Sequence, residues 1–277
     1  MKQTEVEQLE SKITRLFKRA CAERLLLEDG DRVLVAVSGG KDSLELVRLM
    51  SRQARIHKPR IEAEAAHVIM DNIPYETERT YLENFCSENG IRLNVIHTSF
   101  DDSSAPQTSA MQRKRKTKCF LCSWYRRKAL FEYAASNGFN KIAFGHHQDD
   151  FLVTFLMNLT FEGAAQTMQP RMQMKHYPVT VIRPLCLVPE HLITSLAQML
   201  NFEKQKTPCP YEEKSRREDM THIFHEMETL NPEARYSMWN AIDEKRETAG
   251  KEADLSDTTN QQLQNNTPEP NNRKTRL

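Results

Sequence analysis

The chain reads as a doubly wound, parallel, five-stranded α/β sheet with helices on both faces and extra helices toward its C-terminal end. Three observations predict this. Short apolar runs without polar alternation, RVLVAV, EAAHVIM and IRLNVIH, have the pattern of strands buried on both faces. They alternate with helix-length stretches on the scale of strand–helix–strand crossovers. The first run passes through a glycine turn, SGGKDS, straight into a helix, as the ligand-binding corners of such sheets do.

In chain order, Leu9, Ile13, Leu16 and Phe17 recur at helical spacing and predict an amphipathic helix over 5–27. RVLVAV follows as the first strand, then the turn and a helix over 42–53. EAAHVIM (64–70) is the second strand, with Asp71 at its end, and a helix over 76–89 stops at Asn89-Gly90. IRLNVIH (91–97) is the third. Residues 99–118 have no apolar period and predict a mobile loop. A helix over 120–137 stops at Asn137-Gly138, KIAFG is the fourth strand, DDFLVTFLMNLTF a helix, and VTVIRPL (179–185) the fifth strand. Segments 189–201 and 216–229 read as helices. We expect an N-terminal helix over 1–28, a main domain over 29–245, and a disordered tail over 246–277, too polar to offset chain entropy.

Lys and Arg total 39 against 38 Asp and Glu, so the net charge of +1 points to no partner, and local charge must do so. No stretch approaches the roughly 20 apolar residues that span a bilayer. The N-terminus is charged and heptad-like rather than a signal peptide, so no membrane partner and a cytoplasmic location are expected.

Ser38, Gly39, Gly40, Lys41, Asp42 and Ser43 form a phosphate-type turn. Glycines let the backbone curl near an anion, and the N–H groups of the next helix point at it. Lys41 is followed by Asp42 rather than Ser or Thr, which excludes the G-x-x-x-x-G-K-[ST] loop, and the G-x-G-x-x-G pattern is also absent. FGHHQDD (144–150) repeats the layout. Its Gly145 and His146 are candidates for the nucleotide pocket, Asp149 for a magnesium ligand, and Asp150 for the catalytic carboxylate. Asp71 is a weaker candidate for the pocket rim.

Of six cysteines, Cys119 and Cys122 stand as C-x-x-C, which fits a redox dithiol, half a zinc site or part of an iron–sulfur site. No second pair exists. Cys209, between two prolines, is the other cysteine with turn-forming neighbours, while Cys21, Cys86 and Cys186 read as small buried thiols. Around the C-x-x-C runs a basic stretch without acids: Arg113, Lys114, Arg115, Lys116, Lys118, Arg126, Arg127 and Lys128. Such a stretch suits RNA phosphates, and Trp124 and Tyr125 lie between its two halves, where core packing is the commoner role for aromatics.

SGGKDS matches S-G-G-x-D-S, the PP-loop of the ATP pyrophosphatases, at every defined position. That resemblance implies a PP-loop, HUP-like sheet in which the turn cradles the β- and γ-phosphates of ATP and cleavage falls between α and β. The order of PP-loop, C-x-x-C with basic residues, GHxxDD and a distal cysteine, over roughly 10–230, resembles the TtcA family of tRNA 2-thiocytidine synthetases. The resemblance implies a tRNA sulfurtransferase that adenylates O2 of cytidine 32 and replaces it with sulfur through a [4Fe–4S] cluster, using ATP and Mg²⁺. By position, Cys119, Cys122 and Cys209 would hold the cluster. Ser38–Ser43, Gly145 and His146 would bind ATP; Asp150, Arg126 and Lys41 would serve the reacting centre. Partners implied are tRNA, a sulfur donor (a cysteine desulfurase or sulfide) and a second copy in a homodimer. One departure stands out: many members carry a distal C-x-x-C, whereas here Cys209 is followed by Pro-Tyr-Glu212. A 2-thiouridine type of thiolase, a persulfide relay without a cluster, and a non-catalytic RNA-binding iron–sulfur protein are the alternative readings.

Overall fold

A computed structural model describes residues 2–73, 79–100, 118–203 and 216–243. Helix α1 (Lys2–Glu23) leads into β1 (Arg32–Ala36), α2 (Lys41–Ala54), β2 (Glu62–Met70), α3 (Arg79–Glu88) and β3 (Leu93–Thr98). Then come α4 (Lys118–Ser136), β4 (Lys141–Ala143), α5 (Gln148–Phe161), β5 (Arg171–Gln173), β6 (Thr180–Ile182), α6 (Glu190–Met199) and α7 (Arg216–Leu230). A last helix, α8, covers 234–243.

The sheet has six strands, not five, in the order β3-β2-β1-β4-β6-β5. All neighbours are parallel except β5, which runs antiparallel to β6. The extra strand is Arg-Met-Gln at the sheet edge, with both flanking residues exposed. A three-residue polar edge strand has no apolar run to announce it, and its partner is supplied by a hairpin rather than by its own pattern.

The apolar runs behave as continuous buried strands should. Val33, Leu34 and Val35 are consecutive and fully buried. Val33 and Val35 face a core with Ile13 and Phe17 of α1, Leu44 and Val47 of α2, and Ile193 of α6. Leu34 faces the opposite layer with Ala66, Val68 and Leu130 and Ala134 of α4. A third cluster joins Phe151 and Leu152 of α5 to Phe224 of α7 and Trp239 of α8. The C-terminal helices are thereby tied to the helix that follows GHHQ.

Helix ends follow the expected stops at Asn89-Gly90 and Asn137-Gly138, where Ile91 N donates to Cys86 O (2.9 Å) and Phe139 N to Ala134 O (2.9 Å). The first helix begins earlier than the expected 5–27, at Lys2, and ends sooner, at Glu23. Leu25 turns into the left-handed region (φ +49°), and Leu26 N caps back onto Cys21 O at 3.0 Å. The apolar Leu26 and Leu27 that extended the periodicity are instead buried beyond the helix. The expected loop of 99–118, except at its ends, and the tail beyond 245 lie outside the described residues.

Candidate active site

The chain leaves β1 toward β2 and β3 and only then crosses back to β4, so α2 and α5 start from adjacent strand ends at the topological switch. A cavity of about 520 Å³ opens there. Ser38, Asp42 and Ser43 of the first turn form one wall, and Gly145, His146 and Asp150 of the second form another. Helix α4 contributes Cys122, Arg126 and Arg127.

The first turn is stitched by its own hydroxyls. Ser43 Oγ donates to Gly40 O (2.8 Å) and accepts from Ser38 N (3.2 Å), while Gly40 N donates to Ser38 Oγ (3.3 Å). Gly39 sits at φ +90°, a conformation side chains rarely tolerate. With the loop closed on itself, the first-turn N–H groups of α2, which have no intrahelical acceptor, form an anion cradle. Lys41 is not on the cavity wall; its Nζ bonds Glu190 Oε1 (2.8 Å) and Asp42 Oδ2 (3.1 Å). Burial opposes its charge, but Glu190 and Asp42 outweigh it and hold the pKa above the usual lysine range. Burial also pushes the Asp42 carboxyl up, against the pull of His147 and Lys41. Asp42 Oδ1 has no hydrogen-bond partner among the described residues.

The second turn approaches the first at Gly145. A Cβ there would lie 3.1 Å from both Asp42 C and Ser43 N, so any other residue would push the two corners apart by a few tenths of an ångström. His146 is largely desolvated, which drives its pKa down to about 4 despite the nearby Asp150, with Arg183, Arg217 and Arg127 adding to the effect. It is therefore a neutral imidazole at physiological pH. Asp150 Oδ2 accepts from His147 N (2.9 Å), and Arg217 of α7 bonds its Oδ1.

The expected residues divide accordingly. The cavity wall unites Ser38, Asp42, Ser43, Gly145, His146, Asp150, Arg126 and Cys122. It does not include Asp71, whose Oδ1 is 2.8 Å from His97 Nδ1 at an exposed position. Nor does it include Asp149, considered above as a magnesium ligand: that carboxylate is buried, with Oδ1 held by Arg235 Nη2 (2.6 Å) and Oδ2 by Glu190 N (2.7 Å). Burial alone would raise its pKa, but Arg235 and the Glu190 N–H hold it below the usual carboxylate range. Asp149 thus anchors α5 to α6 and α8, away from the cavity wall. Arg113, Lys114, Arg115, Lys116, Cys209 and the side chains of Lys118 and Cys119 lie outside the described residues.

Helix α4 reaches the cavity because Leu121 is buried with Met70, Ile73 and Phe100, and Cys122 and Tyr125 pack against that cluster. Of the basic residues on α4, Arg127 bonds Ser123 Oγ (2.8 Å), and Lys128 lies over the Trp124 ring at 5.7 Å. The sequence reading missed Arg217, Arg235 and Glu190. Arg217 belongs to a basic pair at the start of α7, but no spacing rule ties it to a carboxylate 67 positions earlier.

Comparison with known proteins adds to this geometry. A family model described as the PP-loop domain matches residues 6–222. The tRNA-cytidine(32) 2-sulfurtransferase of Methylococcus capsulatus is 32% identical over 229 residues, covering 82% of this chain and 77% of the relative. That of Bordetella petrii is 31% identical over 239 residues, covering 86% and 72%. Among solved structures, the U34-tRNA thiolase NcsA of Methanococcus maripaludis with its [4Fe–4S] cluster superposes with a TM-score of 0.68 at 27% identity, covering 87% of this chain and 80% of that one.

Proposed function

Because the chain belongs to the PP-loop domain family and, within it, to the tRNA-cytidine(32) 2-sulfurtransferases, we propose that it thiolates tRNA at the expense of ATP, exchanging O2 of cytidine 32 for sulfur. The observation that carries this reading is a single cavity shared by a phosphate turn, the carboxylate Asp150 and the thiol Cys122.

The first-turn N–H groups of α2 bind the outer phosphates of ATP, with Gly39 and Gly40 shaping the turn. Mg²⁺ fits the same place: the Asp42 carboxylate, on the cavity wall, would hold it, and the ion would neutralise phosphate charge. Asp150, fixed by His147 N and Arg217, positions the base. O2 of the cytosine then attacks the α-phosphorus; a bond from O2 to phosphorus forms, and the bond to the bridging oxygen breaks, releasing pyrophosphate. Arg126, on the same wall, offsets the charge that develops. In the second half, sulfur adds to C2 and the C2–O2 bond breaks, with AMP as leaving group. Cys119, Cys122 and Cys209 would hold a [4Fe–4S] cluster, through which that sulfur would be delivered; the position of Cys122 on the cavity wall fits this donor set. Sulfide, or the persulfide of a cysteine desulfurase reduced to that level by a thiol, is the source of the sulfur, and Arg127, Lys128 and the basic segment before α4 hold tRNA phosphates. Among the described residues, no helix is long and apolar enough to cross a membrane.

Nucleoside mass spectrometry of tRNA from cells with and without the gene tests the reading. Loss of 2-thiocytidine alone is the expected result. Loss of a 2-thiouridine instead moves the substrate to another base, and unchanged thionucleosides overturn the function. Anaerobic purification of a brown, iron-containing protein supports the cluster; a colourless active protein rules it out.

A further inference from the structure

We propose that Phe120 and Trp124 form a platform on α4 on which unpaired bases of the RNA stack, beside the cavity. This rests on the reading of the chain as a tRNA-modifying enzyme and adds the surface that takes the bases next to the target. Helix α4 sorts its first turns into two faces. Leu121 is buried, and Cys122 and Tyr125 pack against the same inner cluster. Phe120 (47% exposed), Trp124 (39% exposed) and Arg127 stand outward, at the i, i+4, i+7 spacing of one helical stripe. Single exposed apolar residues are ordinary, but two large rings one turn apart and next to a cavity mark a contact surface. The platform is fastened from behind. Trp124 meets Tyr125 edge-on, with ring centroids 4.8 Å apart and planes at 77°, and Tyr125 lies 5.9 Å from Phe100 of the inner cluster. A ring already held in place loses little freedom when a base stacks on it.

Position and charge identify the occupant. Arg127 belongs both to the outer stripe and to the cavity wall, and Cys122 and Arg126 line the cavity from the same turns of α4. Platform and cavity are thus separated by roughly one helix diameter, about 10 Å. A cytosine enters the cavity only by leaving its own stack, which strips its neighbours of a stacking partner as well. Successive nucleotides are spaced closely enough for those neighbours to reach α4, where the two rings replace the lost stacking. Every base has a π-face, so the platform serves any neighbour without reading its sequence. Phosphates follow the bases, and α4 carries no acid before Glu132, while Arg127 and Lys128 flank the rings.

The test is binding of an anticodon stem-loop RNA to the full chain across a salt titration. Trp124→Ala and Phe120→Ala should each bind it about tenfold more weakly than wild type, the scale of one lost base–aromatic stack, with the salt dependence unchanged. Trp124→Phe should keep most of the affinity. Abasic nucleotides beside the target should weaken wild-type binding by a similar factor and weaken Trp124→Ala no further. Trp124 is also its own reporter. The chain has two tryptophans and the other, Trp239, is buried, so Trp239→Phe leaves Trp124 as the sole indole emitter. Its emission should be open to acrylamide in the free protein and quenched by the RNA. Alanine variants that bind the RNA as wild type does overturn the proposal, as does a Trp124 that acrylamide cannot reach, since the chain itself would then cover the platform. So do variants that bind RNA normally but lose thiolation with a cysteine desulfurase and not with free sulfide, which would give the surface to a protein donor. Should the variants fail to fold, the abasic series decides on the wild type alone, and equal affinity for intact and abasic loops overturns the platform. RNA that does not bind the wild type at all overturns the tRNA reading itself, whereas tight binding indifferent to both rings removes only the role of Phe120 and Trp124.

Discussion

The turns SGGKDS and GHHQDD are built alike, each a glycine-containing corner between a buried parallel strand and a helix N-terminus, yet they do opposite work. The first closes on its own hydroxyls and leaves its helix N-terminus to an incoming anion. The second fills the same kind of N-terminus with two carboxylates of its own, and each is then met by an arginine from the C-terminal helices: Asp150 by Arg217 and Asp149 by Arg235. Local geometry sets where charge is favourable; which charge occupies the place is decided by residues far away in sequence. A helix N-terminus is an opportunity, not an assignment.

The comparison breaks most sharply at Asp150. Asp150→Ala should lower tRNA thiolation by about 10²–10³-fold, the range for losing one positioned polar group at a reacting centre, while ATP binding at the first turn persists. Thiolation at the wild-type level, measured by nucleoside mass spectrometry, would remove the second turn from the chemistry. Asp149 should answer differently. Arg235→Leu leaves a buried carboxylate without its guanidinium and should cost about 3 kcal/mol of stability at neutral pH. Since the folded pKa of Asp149 lies below its unfolded value, the pair's contribution is full above the ordinary carboxylate range and is lost as pH falls through the depressed value. Denaturant titrations should therefore show the gap between wild type and variant closing below about pH 4. A gap that widens in acid would contradict the pairing.

The meeting of the turns is itself testable. Gly145→Ala puts a methyl group 3.1 Å from the backbone of Asp42 and Ser43, so the corners must separate. An overpacking cost of about 1–3 kcal/mol, read as a lower melting temperature together with weaker ATP binding, is expected. Gly40→Ala is the contrast: its Cβ would meet only Ser38 Oγ, at an ordinary 3.5 Å, and stability should change by no more than about 0.5 kcal/mol. Equal losses in the two variants would mean that the close approach at Gly145 is not what holds the cavity's shape.

Much of this was legible in the sequence, for physical reasons. A doubly buried strand needs an uninterrupted apolar run, and β1, β2 and β3 announce themselves that way; a phosphate turn needs its glycines and hydroxyls in order, and SGGKDS shows them. What stayed hidden is whatever depends on a partner distant in the chain. β5 exists because β6 pairs with it. Asp149 looked like its neighbour Asp150 until Arg235 and the Glu190 N–H took both its oxygens.

The smallest expected effect lies outside both turns, on α4. Lys128 is partly exposed, with Nζ 3.6 Å from Glu132 and over the Trp124 ring. An exposed i,i+4 pair contributes little to stability, so Lys128→Ala should leave the melting temperature nearly unchanged. Its effect should fall on tRNA instead: affinity lower by a factor of about 2–5 for all tRNA sequences alike, and a salt dependence of binding shallower by about one ion. Thiolation at saturating tRNA should stay at the wild-type rate, because Lys128 reaches neither turn. Glu132→Gln supplies the opposite sign, since it releases the ammonium from its carboxylate and should tighten tRNA binding slightly at low salt. If both variants bind tRNA as wild type does across a salt titration, Lys128 plays no part in holding the RNA, and that contact must come from other basic residues.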